Sequence, residues 1–387
     1  DSVLKLSDGQ YLGYTLTKNE VIEGDFILLG DTLDLNGYDL TIKGNLLQNS
    51  GTIDINGGIL TVTGDYKLVN GENGQSSGKL VMNGKHMLGE EEIEDTDKVI
   101  VKGNFATNSI YSHENYLTSG VMEIGGNFVQ YGNGTNFKTS GTHEVILNGE
   151  AGQTVSFGGQ SSNFNNLKIE NTAEDGVTFS AATVVRGKLY DTKSKLVKSR
   201  NIYLASTAQI LSKDDKSEWS YDITLTGERT LSQDMKIGGK LYVNNALDIS
   251  GHILDVAEDM VIQSTVTLNK GKINVGGDMR LQGESVNAEG ESSYGFSWSA
   301  AMQMKNEEDA VNVNGAFVLQ TYTGYSSFTA GTLDIKGDIK QYNRYDDCIF
   351  STGGTHKIIL SGDKAQVVEL NHVSSKIANL ELKNTSN

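Results

Sequence analysis

Two histidines in this chain lie in the same short motif, Gly-Thr-His, and histidine is the side chain best suited to metal ligation or proton transfer near neutral pH. His143 and His356 each stand two residues before an aliphatic residue, Val145 and Ile358. Side chains two apart on a strand share a face, so both histidines are predicted to point inward. Neither occurs in a His-x-His or His-Glu-x-x-His motif. The pattern therefore predicts structural histidines held by hydrogen bonds.

Four side-chain amides share this inward position. They are Gln153, Gln366, Asn171 and Asn384. A buried amide can satisfy backbone groups that a turn leaves without partners. We expect these residues to have that structural role.

Five carboxylates occur at similar places in the repeated segments, which predicts an acidic column on the outer surface. They are Asp34, Asp54, Glu123, Asp248 and Asp334. Stacked carboxylates repel unless they are staggered or bridged by a cation, and Ca²⁺ is the cofactor that could bridge them. The linear calcium loop Asp-x-Asx-x-Asx-Gly is absent from the sequence. No specific metal site and no other cofactor are predicted, and the separate acidic run from Glu90 to Asp97 is interpreted as a solvated loop.

Aromatic residues are concentrated in the irregular segments between repeats. The candidates for ligand binding are Tyr111, Tyr116, Tyr294, Phe296, Trp298, Tyr322 and Tyr325, with Phe328, Tyr342 and Tyr345 nearby in the sequence. Exposed rings on one face would form a platform for a sugar or a protein. The alternative is that the rings cap the hydrophobic interior where the repeats are interrupted.

The elements that would position these residues are short strands in a repeat of about twenty residues. DTLDLNGYDLTIKGNLLQNS, residues 31–50, aligns with GTIDINGGILTVTGDYKLVN, residues 51–70. Apolar and polar residues alternate, and Gly and Asn separate the alternating stretches, as in strands joined by tight turns. One such coil cannot bury its apolar face alone, so it must stack on the next coil about 4.8 Å away. We expect Leu33 to stack on Ile53 and Leu40 on Leu60, and Gly44 and Gly64 to permit a close backbone approach.

A second and longer period repeats the whole pattern. Residues 350–384 match residues 137–171 at an offset of 213, and the same offset links Gly58, Leu60 and Val62 to Gly271, Ile273 and Val275. The interruptions at 71–98 and 284–309 also correspond, which predicts a loop on the same coil of each copy. The predicted segments are 1–30, coils that continue an upstream repeat; 31–171, the first super-repeat; 172–222, connecting coils; and 223–387, the second super-repeat. Together they are predicted to form one continuous solenoid.

The motifs resemble those of large secreted or cell-surface repeat proteins of Firmicutes, particularly clostridia. There a Gly-Asp/Asn-Phe coil ending precedes a Gly-Thr-His segment, a Gln-x-Val-x-Phe segment and Phe-x-Asn-Leu-x-Ile-x-Asn. The residues that fit are Phe128, Phe137, Gly141, Thr142, His143, Gln153, Phe157, Phe164, Asn166, Leu167 and Asn171; in the second copy Leu370 and Ile377 replace two of the phenylalanines. The resemblance implies an extracellular location and brings no catalytic residues. The design also resembles the pectin-lyase-like β-helix, which implies right-handed coils.

Carbohydrate-active β-helix enzymes use paired carboxylates, or a calcium ion with a base, on one face. Of the motifs expected in a polygalacturonase-like sequence, only Asp-Asp occurs, at Asp214-Asp215 and Asp346-Asp347; Asn-Thr-Asp, Gly-His-Gly and Arg-Ile-Lys are missing. The sequence therefore predicts no catalytic residues, although a polysaccharide lyase or hydrolase stays an alternative.

Composition limits the partners. The net charge is -17, which argues against nucleic acid and anionic membranes, and no apolar stretch is long enough to span a bilayer. Cys348 is the single cysteine, so no intrachain disulfide can form. The chain has neither a visible signal peptide nor a repeat-free end, and we interpret it as an internal piece of a longer protein.

The prediction from sequence is an all-β, right-handed parallel β-helix with 20–23 residues per coil, about 18–20 coils and a length of roughly 90 Å at the strand spacing. The expected role is a non-enzymatic structural or adhesive segment of a bacterial surface protein, either a rigid spacer or a fibre subunit. Its partners would be protein, including copies of itself, or polysaccharide. The first alternative is a carbohydrate-binding module that uses the exposed aromatics.

Overall fold

The structure is a computed structural model, and it describes residues 4–6, 13–84, 86–88, 91–93, 97–132, 134–159, 161–191, 202–212, 218–219, 221–286, 292–322, 326–343 and 348–386. The regular secondary structure of these residues consists of short β-strands, most of them three to five residues long. Within these ranges there is no helix long and apolar enough to cross a membrane.

The strands of the first half of the chain are β1 (Leu4–Leu6), β2 (Tyr14–Thr15), β3 (Glu20–Ile22), β4 (Phe26–Leu28), β5 (Thr32–Asp34), β6 (Asp39–Ile42), β7 (Leu46–Gln48), β8 (Ser50–Asp54), β9 (Ile59–Val62), β10 (Tyr66–Leu68), β11 (Ser77–Val81), β12 (His86–Leu88), β13 (Glu91–Ile93), β14 (Lys98–Val101), β15 (Phe105–Thr107), β16 (Val121–Ile124), β17 (Phe128–Gln130), β18 (Glu144–Leu147), β19 (Gln153–Phe157), β20 (Asn163–Phe164), β21 (Asn166–Ile169), β22 (Val177–Phe179), β23 (Thr183–Val185) and β24 (Lys188–Asp191).

Those of the second half are β25 (Ile202–Ala205), β26 (Gln209–Ser212), β27 (Glu218–Trp219), β28 (Ile223–Thr226), β29 (Arg229–Thr230), β30 (Met235–Ile237), β31 (Leu241–Val243), β32 (Leu247–Asp248), β33 (Ile253–Val256), β34 (Met260–Ile262), β35 (Thr265–Thr267), β36 (Lys272–Val275), β37 (Met279–Leu281), β38 (Gly283–Val286), β39 (Ser292–Gly295), β40 (Ala301–Met304), β41 (Ala310–Val313), β42 (Phe317–Leu319), β43 (Ser327–Phe328), β44 (Thr332–Ile335), β45 (Ile339–Gln341), β46 (Lys357–Leu360), β47 (Val368–Leu370) and β48 (Asn379–Leu382).

The chain divides into two compact units, and the division falls inside the segment predicted to connect the super-repeats. Unit 1 comprises Asp1–Tyr203 with Leu211–Asp214, and unit 2 comprises Leu204–Ile210 with Asp215–Asn387. Each unit is a β-solenoid of parallel strands, so the predicted fold class is confirmed.

Each regular coil contributes three strands, one to each of three parallel sheets that we call faces A, B and C. In unit 1, face A contains β1, β4, β7, β10, β15, β17, β19 and β22; face B contains β2, β5, β8 and β11; and face C contains β3, β6, β9, β14, β16, β18, β21 and β24. The equivalent faces of unit 2 are β28, β31, β34, β37, β42, β45 and β47; β29, β32, β35, β40 and β43; and β27, β30, β33, β36, β41, β44, β46 and β48.

The strand register confirms the stacking predicted from the short sequence repeat. Leu33 pairs with Ile53 on face B and Leu40 pairs with Leu60 on face C. All four side chains are at most 2% exposed. Alternation of apolar and polar residues on a strand thus places one aliphatic column per face in the interior.

Phenylalanines reinforce the interior behind face A of unit 1. The rings of Phe105 and Phe128 lie 5.6 Å apart, and Phe157 and Phe164 each lie 5.0 Å from Phe128. Burial of one such side chain contributes about 1.5–3 kcal/mol to folding. The motif phenylalanines therefore have a structural role in the core.

Tight turns with left-handed backbone angles join face B to face C. Asn36 and Gly37 have φ values of 47° and 79°, and Asn56 and Gly57 have values of 39° and 82°. Two successive residues with positive φ form the turn that Asn-Gly pairs favour. The glycines predicted to permit close approach do so: a Cβ on Gly64 would lie 2.8 Å from the carbonyl oxygen of Gly44.

The two units together have about 15 turns, fewer than the 18–20 predicted. Turn length also varies more than the sequence repeat suggests: one turn leads from Glu218 to its partner Lys236, and a clearly longer one leads from Thr332 to Lys357. The coil that leads from Ile59 to Lys98 contains an insertion, which makes it about twice as long as the coil before it. The number of turns is smaller because many residues lie in corner segments and insertions, where a uniform repeat would have placed them in additional turns.

The two insertions belong to equivalent coils but lie at different corners of those coils. In unit 1 the antiparallel hairpin of β12 and β13 follows face B strand β11. In unit 2 the hairpin of β38 and β39 follows face A strand β37 and precedes face B strand β40. The prediction of a loop on the same coil of each copy is confirmed, while the loops emerge from different edges of that coil.

Candidate functional site

The corner between face C and face A contains a ladder of Asx side chains that links each coil to the next. In unit 1 it comprises Asp25, Asn45, Asp65, Asn104 and Asn127. The Oδ1 atom of each accepts a hydrogen bond from the backbone N–H one coil further on, with N···O distances of 2.6 to 2.8 Å. The Gly-Asp/Asn-Phe motif therefore encodes a glycine for close approach, an Asx for the ladder and a phenylalanine for the core.

Charge along the ladder is compensated differently in the two units. In unit 1 no two aspartates of the ladder are adjacent, and the Nδ2 atoms of Asn45 and Asn104 donate to Asp25 and Asp65. In unit 2 the aspartates pair with cations instead: Asp259 with Lys240 at 3.1 Å, Asp278 with Arg280 at 2.5 Å and Asp338 with Lys340 at 3.1 Å. Both arrangements prevent repulsion between carboxylates stacked one coil apart.

Both motif histidines are buried, as predicted, but only the ring of His356 makes a hydrogen bond. The Nδ1 atom of His356 lies 2.9 Å from the carbonyl oxygen of Ala330. His143 has no hydrogen-bond partner for either ring nitrogen among the described residues, so the predicted hydrogen-bonded role is wrong for this copy. Burial, and then the neighbouring His113, lower the pKa of His143 to about 3.

The third buried histidine, His113, was not singled out by sequence. Its Nδ1 atom donates to the carbonyl oxygen of Asn136 at 2.7 Å, and its Nε2 atom accepts from the backbone N–H of Leu80 at 3.3 Å. Burial lowers the pKa of His113 to about 4. The neutral ring therefore links the coil that contains Leu80 to the coil that contains Asn136 by hydrogen bonds.

The four predicted amides satisfy backbone groups, which confirms their structural assignment. Gln153 accepts from Gly149 N–H at 2.8 Å and donates to the carbonyl oxygens of Ile124 and Gly126. Gln366 repeats this with Gly362, Ile335 and Gly337. Asn171 and Asn384 donate to the side-chain oxygens of these two glutamines at 2.8 and 2.7 Å.

The predicted acidic column does not exist as one array. Asp34 and Asp54 are neighbours on face B, and Asp248 lies on face B of unit 2. Glu123 and Asp334 belong to face C strands, where Glu123 pairs with Lys98 at 2.6 Å. A similar position in the sequence repeat did not distinguish one outward face from another.

One local carboxylate cluster remains on face B of unit 1. Burial, and then the charges of Asp34 and Asp97, raise the pKa of Asp54 to about 6. Asp97 is only 2% exposed and accepts from Gly57 N–H at 2.6 Å, which corrects its assignment to a solvated loop. Its equivalent Asp309 accepts from the backbone N–H of Lys270 and Lys305, each at 2.7 Å.

Within the described part of the chain no group of three or more His, Cys, Asp or Glu side chains is arranged to hold a metal ion. Asp214-Asp215 and Asp346-Asp347 lie outside the described residues. An open groove of about 340 Å³ on face C of unit 2 is lined by one carboxylate, Asp255, whose Oδ1 atom accepts from Asn274 at 2.6 Å. This groove lacks the carboxylate pair that glycoside hydrolysis uses.

The predicted aromatics form two separate clusters, both near the corner between faces A and B. In unit 1 the rings of Tyr111 and Tyr116 meet edge to face at 6.2 Å, and the Nζ atom of Lys79 lies 4.9 and 4.7 Å from their centroids. The ammonium group of Lys79 therefore already occupies the region between these two rings.

The unit 2 cluster presents an exposed ring. Trp298 is 61% exposed, with Phe296 edge-on at 4.7 Å and Tyr322 tilted by 40° at 6.1 Å. Tyr294 stands apart, with the Arg280 guanidinium 4.6 Å from its ring centroid. Tyr325 and Tyr345 lie outside the described residues, and Phe328 is buried against Phe350.

Comparisons with protein-family models, with curated proteins and with solved structures found no match. The geometry above is therefore the basis for the functional argument.

Proposed function

We propose that this chain is a non-enzymatic structural segment of a bacterial extracellular or cell-surface protein, a rigid β-helical spacer that displays its insertions at the corners of the coils. The observation that carries this proposal is the set of buried columns that repeats through each unit, together with the ladder of Asx side chains, which is continuous from Asp25 to Asn127 and interrupted in unit 2 at Lys240 and Ala316. The extracellular location rests on the resemblance of the Gly-Asp/Asn-Phe and Gly-Thr-His motifs to secreted repeat proteins.

The repeated interior favours a mechanical role over a catalytic one. Gln153 and Gln366 make the same three hydrogen bonds in the two units, so the most faithfully repeated polar residues stabilise backbone. At the repeated motif positions the copies keep apolar residue types, as where Leu370 and Ile377 replace Phe157 and Phe164, whereas the insertions leave at different corners. Such a division suits a scaffold that holds variable surface elements at fixed spacing.

Negative-stain electron microscopy of the purified chain, with calcium and with a chelator, tests the proposal. Single elongated particles that are the same in both conditions are expected of a spacer. Long filaments would instead make the chain a fibre subunit, assembled by end-to-end stacking of coils. Compact particles, or turnover of polygalacturonate or another polysaccharide, would contradict the structural role.

A further inference from the structure

A surface at the corner between faces A and B of unit 2 combines exposed aromatic rings with a neutral polar side chain. We call it the corner surface and define it by Trp298, Tyr322, Gln320 and Tyr342. A parallel bridge between Ser297 and Thr321 places Trp298 next to Tyr322 on successive coils. Tyr342 N–H donates to the carbonyl oxygen of Leu319 at 2.8 Å. Tyr342 therefore lies on the coil that follows Gln320, directly beside it.

The rings of the corner surface are open to solvent to an extent that core residues are not. Trp298 is 61% exposed and Tyr342 is 43% exposed, whereas the motif phenylalanines on face A are buried. Phe296 meets Trp298 edge-on and fixes the indole plane without covering it. Trp298 and Tyr342 are therefore not buried caps of an interrupted core, whereas Tyr322 is half-buried.

The spacing of the surface follows from the solenoid. Its aromatic rings come from three successive coils, and the ring centroids of Trp298 and Tyr322 lie 6.1 Å apart. That separation is of the same order as the length of one sugar residue in an extended polysaccharide. A pyranose ring has an apolar C–H face that packs on an aromatic ring and equatorial hydroxyls that hydrogen-bond to planar polar side chains.

Among the residues that the structure describes, the polar groups beside the rings carry little net charge. The Nε2 atom of Gln282 donates to Gln320 at 3.2 Å, which orients the Gln320 amide at the surface. The nearby cations Arg280 and Lys340 are paired with Asp278 and Asp338 at 2.5 and 3.1 Å. No uncompensated cation among these residues is available for an acidic sugar, and the net charge of -17 would repel one.

We propose that the corner surface binds a neutral polysaccharide chain running along the coils, by stacking of sugar rings on Trp298, Tyr322 and Tyr342 and hydrogen bonding to Gln320. This site is independent of the spacer role, because a spacer needs no ligand. It also distinguishes the two aromatic clusters, since the Tyr111 and Tyr116 rings already hold Lys79.

The test uses the full chain with Trp219→Phe, which leaves Trp298 as the sole tryptophan of the two in the sequence. Cellohexaose, xylohexaose, mannohexaose and chitohexaose are titrated while tryptophan emission is followed, and affinity is measured by calorimetry. At least one is expected to give a saturable emission change. Trp298→Ala, in the chain with native Trp219, is expected to weaken binding about tenfold or more, and Tyr342→Ala less.

The matched control is Tyr116→Ala, which removes a ring from the other cluster and is expected to leave the affinity unchanged. Circular dichroism of each variant checks that the solenoid stays folded. The proposal is wrong if none of the four oligosaccharides binds at millimolar concentration, or if Trp298→Ala binds as well as the parent. Tighter binding of polygalacturonate than of the neutral sugars would overturn the neutral class.

Discussion

At the scale of single residues, the motifs place the same residue type in different electrostatic situations. His143 and His356 belong to the same Gly-Thr-His motif, yet one has a carbonyl partner and the other has none among the described residues. Asp54 has two carboxylate neighbours, while its unit 2 equivalent is Thr267. Sequence repetition therefore conserves the position of a residue on the coil without conserving its hydrogen bonds or its charged neighbours.

His143→Leu is expected to make the protein less sensitive to acid. The folded pKa of His143, about 3, lies below the ordinary value of 6.5, so its contribution to stability is present above pH 6.5 and is lost as the pH falls toward 3. At pH 5 the loss is about 2 kcal/mol. Urea midpoints at pH 7 and pH 5, followed by circular dichroism, should differ less in the variant than in the parent.

The matched variant is His356→Leu, which leaves the carbonyl oxygen of Ala330 without its donor. It should gain less stability at pH 5 than His143→Leu, or lose some. Equal acid dependence in the parent and in His143→Leu would show that this ring is hydrated or already charged in the folded state.

Asp54→Asn is expected to stabilise the protein at neutral pH. The folded pKa of about 6 is above the ordinary value of 3.8, so the contribution of this carboxyl is fully present below pH 3.8 and is lost as the pH rises through 6. Partial exposure screens the charges, so the expected gain at pH 7 is about 1 kcal/mol, with little change at pH 4. Thermal melts at the two pH values measure it, and the exposed Glu72→Gln serves as a control that should change neither.

At the scale of elements, each coil is held by a side chain at its corner as well as by its strands. The Asx ladder and the Gln153 and Asn171 pair satisfy backbone N–H and C=O groups that the turns would leave unpaired. The strand ladder alone would fix the register of the three faces. The corner side chains additionally fix the path of the turn between faces C and A.

Asn104→Ala is expected to cost about 1–3 kcal/mol, because the Asn127 N–H loses its acceptor and Asp65 loses a neutralising donor. The urea midpoint of the variant at pH 7 measures the cost. Asn115→Ala, at an exposed turn position, is the control and should lie within experimental error of the parent. A similarly small effect at Asn104 would mean that water replaces the ladder contact.

At the scale of the whole molecule, the position of a strand in its stack decides how far equivalent residues are covered. Ile169 is fully buried on face C of unit 1, where β24 pairs with its strand. Its counterpart Leu382, at the same motif position in unit 2, is 71% exposed. The comparison concerns the chain of 387 residues, in which β48 is the last strand of its sheet.

Ile169→Asp and Leu382→Asp form a matched pair that measures this difference. The first buries a carboxylate in an apolar column and is expected to cost about 4 kcal/mol or more, which should lower the melting temperature sharply. The second places the carboxylate at an exposed position and should cost about 0.5 kcal/mol or less. Similar losses for both would indicate that Leu382 is covered in solution.

The coil and its inward residues could be predicted from the amino-acid sequence. Alternation with a period of two assigns Leu33, Leu40 and Val145 to the interior. Repetition at the short and at the long period predicts stacking, because equivalent apolar positions bury each other only when coils lie in register. The structural roles of Gln153 and Asn171 followed from the same parity. These inferences are local, since they depend on neighbours along one strand.

Which outward residues meet on the surface depends on the three-dimensional arrangement of the coils. The sequence could not distinguish face B from face C, so Asp54 and Glu123 looked equivalent although they lie on different sheets. It could not show that the unit 2 insertion leaves at the corner that brings Trp298 beside Tyr322 of the following coil. Outward side chains lack the core packing that fixes the positions of inward side chains. Their neighbours therefore depend on the corner at which each additional residue of a coil is inserted.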